Sequence, residues 1–173
     1  MISSKTSGMS PTSLTSTQFR AALAQFATGV TVVTAERPSG QVHGMTANSF
    51  TSVSLHPPLI LICVASIAQL LPLVKEKHCF GVSILKAGQE AMSRYFAQPD
   101  EKPETEAALG IRYRRTPTGI PLLENALANF ACKVVNSQIA GDHTIFLAEI
   151  ESVDLFDGDP LIFFHHNYRQ LAP

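Results

Sequence analysis

Paired prolines stand directly before the most apolar run in the chain, SLHPPLILICVA at residues 54–65. Proline fixes φ and gives no N–H to a ladder, so Pro57 and Pro58 set where a strand can start. The LILICV that follows shows no alternation of apolar with polar side chains, and a strand of that kind is expected to be buried on both faces. Other strand-like runs surround it. TGVTVVTA, residues 28–35, is β-branched with Gly29 at its hinge and is closed by the turn-forming ERPSGQ. HGMTANSFTS returns as the second arm of that hairpin. CFGVSIL at 79–85 reads as a further strand, and the last third holds three more, at about 126–137, 143–153 and 160–166.

Few helices interrupt this series. Thr17 is placed to cap a helix carrying Phe19, Ala22, Leu23 and Phe26 on one face, which requires a core. Residues 66–77 read as a short helix or turn interrupted by Pro72, and residues 88–97 as a helix with Met92, Tyr95 and Phe96 on one side. Residues 98–118 hold most of the charge and several breakers, the signature of a mobile or partner-facing segment. The expectation is a mainly β protein, an antiparallel barrel with a few peripheral helices. The spacing is too irregular for a doubly wound βαβ sheet. Residues 1–16, rich in Ser and Thr, are expected to be a disordered tail, leaving 17–173 as one domain.

Composition removes several functions. Thirteen basic and fourteen acidic side chains, dispersed to a net charge of -1, offer no run that would neutralise a nucleic acid backbone. No apolar window is long enough to span a bilayer, so no membrane insertion is expected. Cys63, Cys79 and Cys132 form no C-x-x-C pair, which points to a reduced cytoplasm and no metal. Cys63 and Cys132 read first as small buried apolar groups.

Catalytic motifs for hydrolysis and phosphate loops are missing: there is no G-x-S-x-G, H-E-x-x-H, G-x-G-x-x-G or G-K-[ST]. Nothing in the spacing of His43, His56, His78 and His143 supports a zinc centre. His165 and His166, adjacent in an expected strand, would point to opposite faces. His143 opens an alternating strand directly after Gly141-Asp142, a position at a sheet rim where Asp142 could orient the imidazole. The crowding of small and hydroxyl side chains in HGMTANSFTS marks a wall built to hold something polar.

The series FATGVTVVTA, GMTANSFTSVSL, PPLILICV, CFGVSIL, SRYFA, GDHTIFLAEI and PLIFFHHNYRQL, from about Thr17 to Leu171, resembles the flavin reductase-like family of FMN-binding split barrels. These are reductase components of two-component flavin monooxygenase systems. The resemblance implies an NAD(P)H:flavin oxidoreductase acting on FMN or FAD with NADH or NADPH. It also implies a homodimer and a partner monooxygenase that receives reduced flavin by diffusion. Carried onto this chain, His43, Gly44, Met45, Thr46, Asn48 and Ser49 would lie along the ring and ribityl chain. Cys63, Val64, Ala65, Ser66 and Gln69 would run past the ribityl and phosphate. Ser93, Arg94, Tyr95 and Phe96 would close another side. His143, Phe164, His165 or His166, and Tyr168 would face the nicotinamide donor, with His143 positioning it.

The chemistry of the residues agrees. A flavin edge wants backbone and hydroxyl partners while its faces want apolar cover, and small residues such as Gly44 and Ala47 let a backbone come close. The turn ASIAQLLP offers only Ser66 and Gln69 as polar side chains, so phosphate binding there must draw on backbone amides or on a cation such as Lys75 or Arg94. Flavin is accordingly expected to be loosely held. Arg112, Arg114 and Arg115 read first as a solvated basic patch, with contact to the adenosine phosphates of a donor as the alternative. Two other readings stay open: a barrel that binds flavin, haem or another planar ligand without catalysis, and a flavoenzyme that reduces a different acceptor such as a corrinoid or quinone.

Overall fold

The structure, a computed structural model, describes residues 14–99 and 103–171. Most of the expected tail therefore lies outside the described residues. The elements run α1 (Ser16–Leu23), β1 (Thr28–Gly29), β2 (Thr31–Glu36), β3 (Val42–Ala47), β4 (Phe50–Leu55), β5 (Pro58–Ala65), α2 (Leu70–Lys77), β6 (Cys79–Ile84), α3 (Glu90–Phe96) and α4 (Pro103–Ala108). After these come β7 (Tyr113–Arg115), β8 (Pro121–Leu123), β9 (Ala128–Ala140), β10 (His143–Leu155), β11 (Ile162–Phe164) and β12 (Asn167–Arg169). The protein is mainly β, as its sequence predicts.

Seven antiparallel strands form the main sheet in the order β3-β2-β6-β9-β10-β5-β4. The two edge strands, β3 and β4, are nonetheless joined by only Asn48 and Ser49. A linker of that length holds Ala47 and Phe50 within about 11 Å of each other. The sheet must therefore roll until its edges face. No ladder pairs β3 with β4, so the roll is left open along that seam. Ser49 instead continues the β4-β5 pairing by one residue: its Oγ donates to the Cys63 carbonyl at 2.9 Å and accepts from the Cys63 N–H at 3.3 Å.

Inside the roll, Val33, Ile60, Ile62, Val64, Phe80, Val82 and Phe146 form the main core, and α2 plugs it with Leu70 and Val74, both fully buried. Pro72 does not interrupt that helix. It sits in the first turn, where its missing N–H would have had no intrahelical partner. Gly81 is where β6 meets the β7-β8 arm most closely: a Cβ there would lie 2.5 Å from Thr34 Oγ1 and 2.8 Å from Leu122 Cδ2. On the outside, α3 covers β2 and β3 through a second core of Val32, Leu85, Met92, Tyr95 and Phe96.

Several expectations are corrected by the coordinates. The helix cap is Thr15, in a capping box with Gln18, instead of Thr17. The expected core face of α1 is exposed: Phe19 is 51%, Leu23 57% and Phe26 76% accessible. β5 buries only alternate residues. Ile60, Ile62 and Val64 enter the core, while Leu59, Leu61 and Cys63 remain half-covered beside Leu147 and Ile145 of β10. The charged stretch after α3 forms α4 and the β7-β8 pair where it is described; residues 100–102 fall outside.

His165 and His166 do not belong to a strand either. With φ of 50° and 60° they are the two residues turning β11 into β12, where Phe164 faces Asn167. Two-residue hairpins of the I′ kind demand positive φ at both positions, which costs an ordinary L residue about 1–2 kcal/mol. Replacing His165-His166 with Asn-Gly is expected to raise stability by about 1 kcal/mol, read as a higher urea midpoint at unchanged slope.

Candidate functional site

Two neighbouring cavities open beside β3 on the α3 side. The first, about 350 Å³, lies between His43–Thr46, the Ile67-Ala68-Gln69 turn and residues 96–99. The second, about 190 Å³, is lined by Val30, Ala47, Asn48, Ser93, Phe163 and Tyr168. Thr46 and Ala97 line both, so the two are parts of one trough.

The trough's polar stretch is largely spoken for by the protein itself. Thr46 Oγ1 donates to the Ser93 carbonyl at 2.7 Å, tying β3 to α3. Ser93 Oγ and Tyr168 Oη lie 2.8 Å apart, tying α3 to β12. Gly44 admits a protein ring: a Cβ there would stand 2.5 Å from Phe96 Cε1, so the missing side chain makes room for Phe96 and not directly for a ligand. Ala47, 9% exposed, keeps the expected role of a small wall, and Asn48 is exposed beside it.

Other expected residues divide between site and scaffold. Val64 and Tyr95 are core side chains, 0% and 5% exposed, and leave only backbone to a site. Phe163 lines the smaller cavity and packs edge-on against Tyr168 at 5.3 Å, whereas Phe164, one residue on and facing the other way, packs on His165 at 4.4 Å. Phe163 was missed because the parity of β11 depends on where the β11-β12 turn falls. Arg94 is bound to Glu90 at 2.7 Å and lies over the Tyr168 ring at 4.8 Å, and neither it nor Lys75 lines the larger cavity. The arginine patch is internally paired: Arg112 with Glu124 at 3.1 Å, Arg114 with Asp154, Arg115 with Glu36.

Arg37, which sequence reading passed over as part of the β2-β3 turn, reaches the turn 66–69. Its Nη2 donates to Gln69 Oε1 and to His43 Nδ1, each at 2.9 Å. A guanidinium has no acceptor, so His43 Nδ1 accepts and the ring proton sits on Nε2. Gln69 Nε2 in turn donates to the Pro99 carbonyl at 3.0 Å.

His143 occupies the expected rim. It follows the two-residue Gly141-Asp142 turn between β9 and β10, opposite Ala65, and its Nδ1 lies 2.7 Å from Asp142 Oδ1. That hydrogen bond, with the imidazole's charge, lowers the Asp142 pKa below the ordinary carboxylate range. The Asp142 carbonyl accepts from Ser66 N–H at 2.8 Å, fastening the rim to the turn after β5. His143 lines neither cavity; alternation places it with Ala65 and Cys63 on the outer face of β10 and β5. His165 is brought in from the other side, its N–H donating to the Ala24 carbonyl beyond α1 at 3.1 Å. Burial raises the Cys132 thiol to about 12, which makes it inert packing. Among the described residues no cluster of His, Cys, Asp and Glu could hold a metal, and no helix is long and apolar enough to cross a membrane.

The family model for the flavin reductase like domain matches residues 23–172. The chain belongs to the flavin reductase-like family. An NADH-dependent flavin reductase of a Rhodococcus species is 41% identical over 169 residues, covering 96% of this chain and 93% of that protein. The reductase component of 4-hydroxyphenylacetate 3-monooxygenase from Thermus thermophilus is 40% identical, covering 89% and 95%. Among solved structures, the NADH:FAD oxidoreductase of Streptomyces globisporus in complex with NAD and FAD fragments superposes with a TM-score of 0.81 at 38% identity, covering 91% of this chain and 93% of that one. In this flavin reductase-like chain the trough along β3 runs along His43–Asn48, within one of the motifs that carry the sequence resemblance.

Proposed function

We propose that the protein is an NADH-dependent flavin reductase whose flavin lies in the trough along β3. The carrying observation is that trough: two cavities meeting at Thr46 and Ala97, apolar at Val30, Ala47 and Phe163 and polar at Asn48 and Tyr168. A flat ring with apolar faces and polar edges fits such a lining. FMN or FAD, when bound, supplies the acceptor of a hydride from the reduced nicotinamide.

The chain's own contribution is positioning and exclusion of water. The Ser93-Tyr168 and Thr46-Ser93 bonds lock the trough's outer wall. Phe163 and Tyr168 offer aromatic cover, while His143, held by Asp142, orients the donor from the rim. Arg112, Arg114 and Arg115, each already paired with an acid, leave no basic cluster there for a 2′-phosphate and favour NADH over NADPH. The rolled sheet with its β3-β4 seam is read as a split barrel forming one domain from about residue 17. Exposed Phe19, Leu23 and Phe26, with the half-covered Leu59, Leu61, Ile145 and Leu147, support a homodimer that covers them. Reduced flavin would leave by diffusion to a separate monooxygenase. Three cysteines without a disulfide suit the cytoplasm.

The test is oxidation of NADH followed at 340 nm with FMN and FAD added in turn. Flavin-dependent consumption well above background, faster with NADH than with NADPH, is expected. His143→Ala is expected to raise KM for NADH severalfold while changing that for flavin little. A rate at background with every flavin and donor pair would end this reading.

A further inference from the structure

We propose that Ser93 is a positioning residue for the reductase reaction: its hydroxyl holds the phenol of Tyr168 as a thin wall between the smaller cavity of the trough and a third cavity behind it. The inference rests on the flavin reading above and adds to it the residue that fixes how far a flat ring can enter.

Serine is a costly choice at this position. Ser93 stands inside α3 and is 0% exposed, where alanine would suit the helix better and would bury no hydroxyl. The hydroxyl has one use: Oγ lies 2.8 Å from Tyr168 Oη. The carbonyl of the same residue accepts from Thr46 Oγ1 at 2.7 Å and from the Ala97 N–H at 3.1 Å. Ser93 thus joins β3, the end of α3 and β12, three walls of the smaller cavity.

Tyr168 has space on two sides. It lines the smaller cavity and also a third one, about 340 Å³, bounded by Gly88 and Glu90 at the start of α3 and by Arg169 and Gln170. Three contacts locate its ring: the Ser93 hydroxyl, the edge of Phe163 at 5.3 Å and the Arg94 guanidinium at 4.8 Å. Phe163 belongs to the same β11-β12 hairpin and moves with it. The Arg94 side chain is 62% exposed and shared with Glu90. Only the Ser93 bond ties the phenol to a buried group of another element. Without it the ring is free to turn into the third cavity, and the stop for a flat ligand lying against Val30, Ala47 and Phe163 goes with it. The reaction needs donor and acceptor rings at near-contact distance, where a displacement of about 1 Å can cost about 100-fold in rate. Binding draws on the whole trough and depends far less on one wall, so a positioning role shows as lost kcat with flavin affinity kept.

Ser93→Ala, Tyr168→Phe and the double variant are compared with the native full-length protein. Each single variant is expected to lower kcat by about tenfold or more and to raise the isotope effect on kcat with NADH deuterated at C4, while flavin affinity, read by fluorescence quenching, stays within about twofold. The double variant should fall no further than either single one, because both changes remove the same bond. In ligand-free protein labelled with 13C-tyrosine, the ring signal of Tyr168, assigned by its loss in Tyr168→Phe, should shift or broaden in Ser93→Ala. Native kcat in either single variant, or an unmoved Tyr168 signal, overturns the proposal. So does a parallel loss of kcat and flavin affinity, which marks Ser93 as a structural brace. If Ser93→Ala does not fold, Tyr168→Phe decides, since it removes the same bond and keeps the ring. A native protein active with flavin and NADH beside unaffected variants sinks this inference alone. A native protein at background with every flavin sinks the flavin reading and this inference together.

Discussion

Gly81→Ala is expected to lower the thermal midpoint of the protein by roughly 10 °C. The added Cβ would lie 2.5 Å from Thr34 Oγ1, 2.8 Å from Leu122 Cδ2 and closer still to the Pro121 carbonyl oxygen. Two of those atoms form the hydrogen bond from Thr34 Oγ1 to Pro121 O that pins β8 across β2. Neither neighbour is a flexible tip that can swing away, since Thr34 and Leu122 are both fully buried. Overpacking of this kind costs about 1–3 kcal/mol, and breaking a buried hydrogen bond adds about 1–3 kcal/mol more. Differential scanning calorimetry measures the shift. A midpoint within about 2 °C of the native protein would mean that β8 can move off β6 without loss.

Ala97→Trp is expected to cut flavin affinity by at least 100-fold while leaving the fold intact. Ala97 is the C-cap of α3 in ordinary right-handed helical geometry, it is exposed, and it lines both cavities. An indole there fills the junction of the trough without entering the core. The native chain has no tryptophan, so the substitution also installs one fluorophore whose emission reports folding in the same sample. Loss of flavin binding with a native unfolding curve is the expected pair of results. Unchanged affinity would show that a flavin, if bound, does not cross from one cavity to the other.

Much of this was legible in the chain, and the limits of that reading are specific. Gly141-Asp142 followed by His143 predicts a tight turn with an oriented imidazole, and the 2.7 Å contact is there because adjacent residues are enough to make it. Pro57-Pro58 predicts the start of β5 correctly. The crowding of polar groups in HGMTANSFTS has in part a purely structural use. Thr46 and Ser49 spend their hydroxyls on Ser93 and Cys63, and Gly44 makes room for Phe96. No spacing within the stretch tells a hydroxyl meant for a ligand from one meant for a carbonyl 47 residues away. The apolar run LILICV was overread for a related reason. Lack of alternation says that both faces prefer to be covered, and it does not say by which chain.

By itself the sequence determined the mainly β class, most strands and the helix α3, the histidine that opens β10, and the family. These follow from periodicity, from the φ limits of proline and from turn chemistry, all of which act over a few residues. Tertiary structure decided which side chains meet. It put Phe163 rather than Phe164 in the trough, paired the three arginines with acids, and brought Arg37 from the β2-β3 turn to Gln69. Those outcomes depend on strand register and on how far the sheet rolls before β3 faces β4, and both are set by packing across the whole chain.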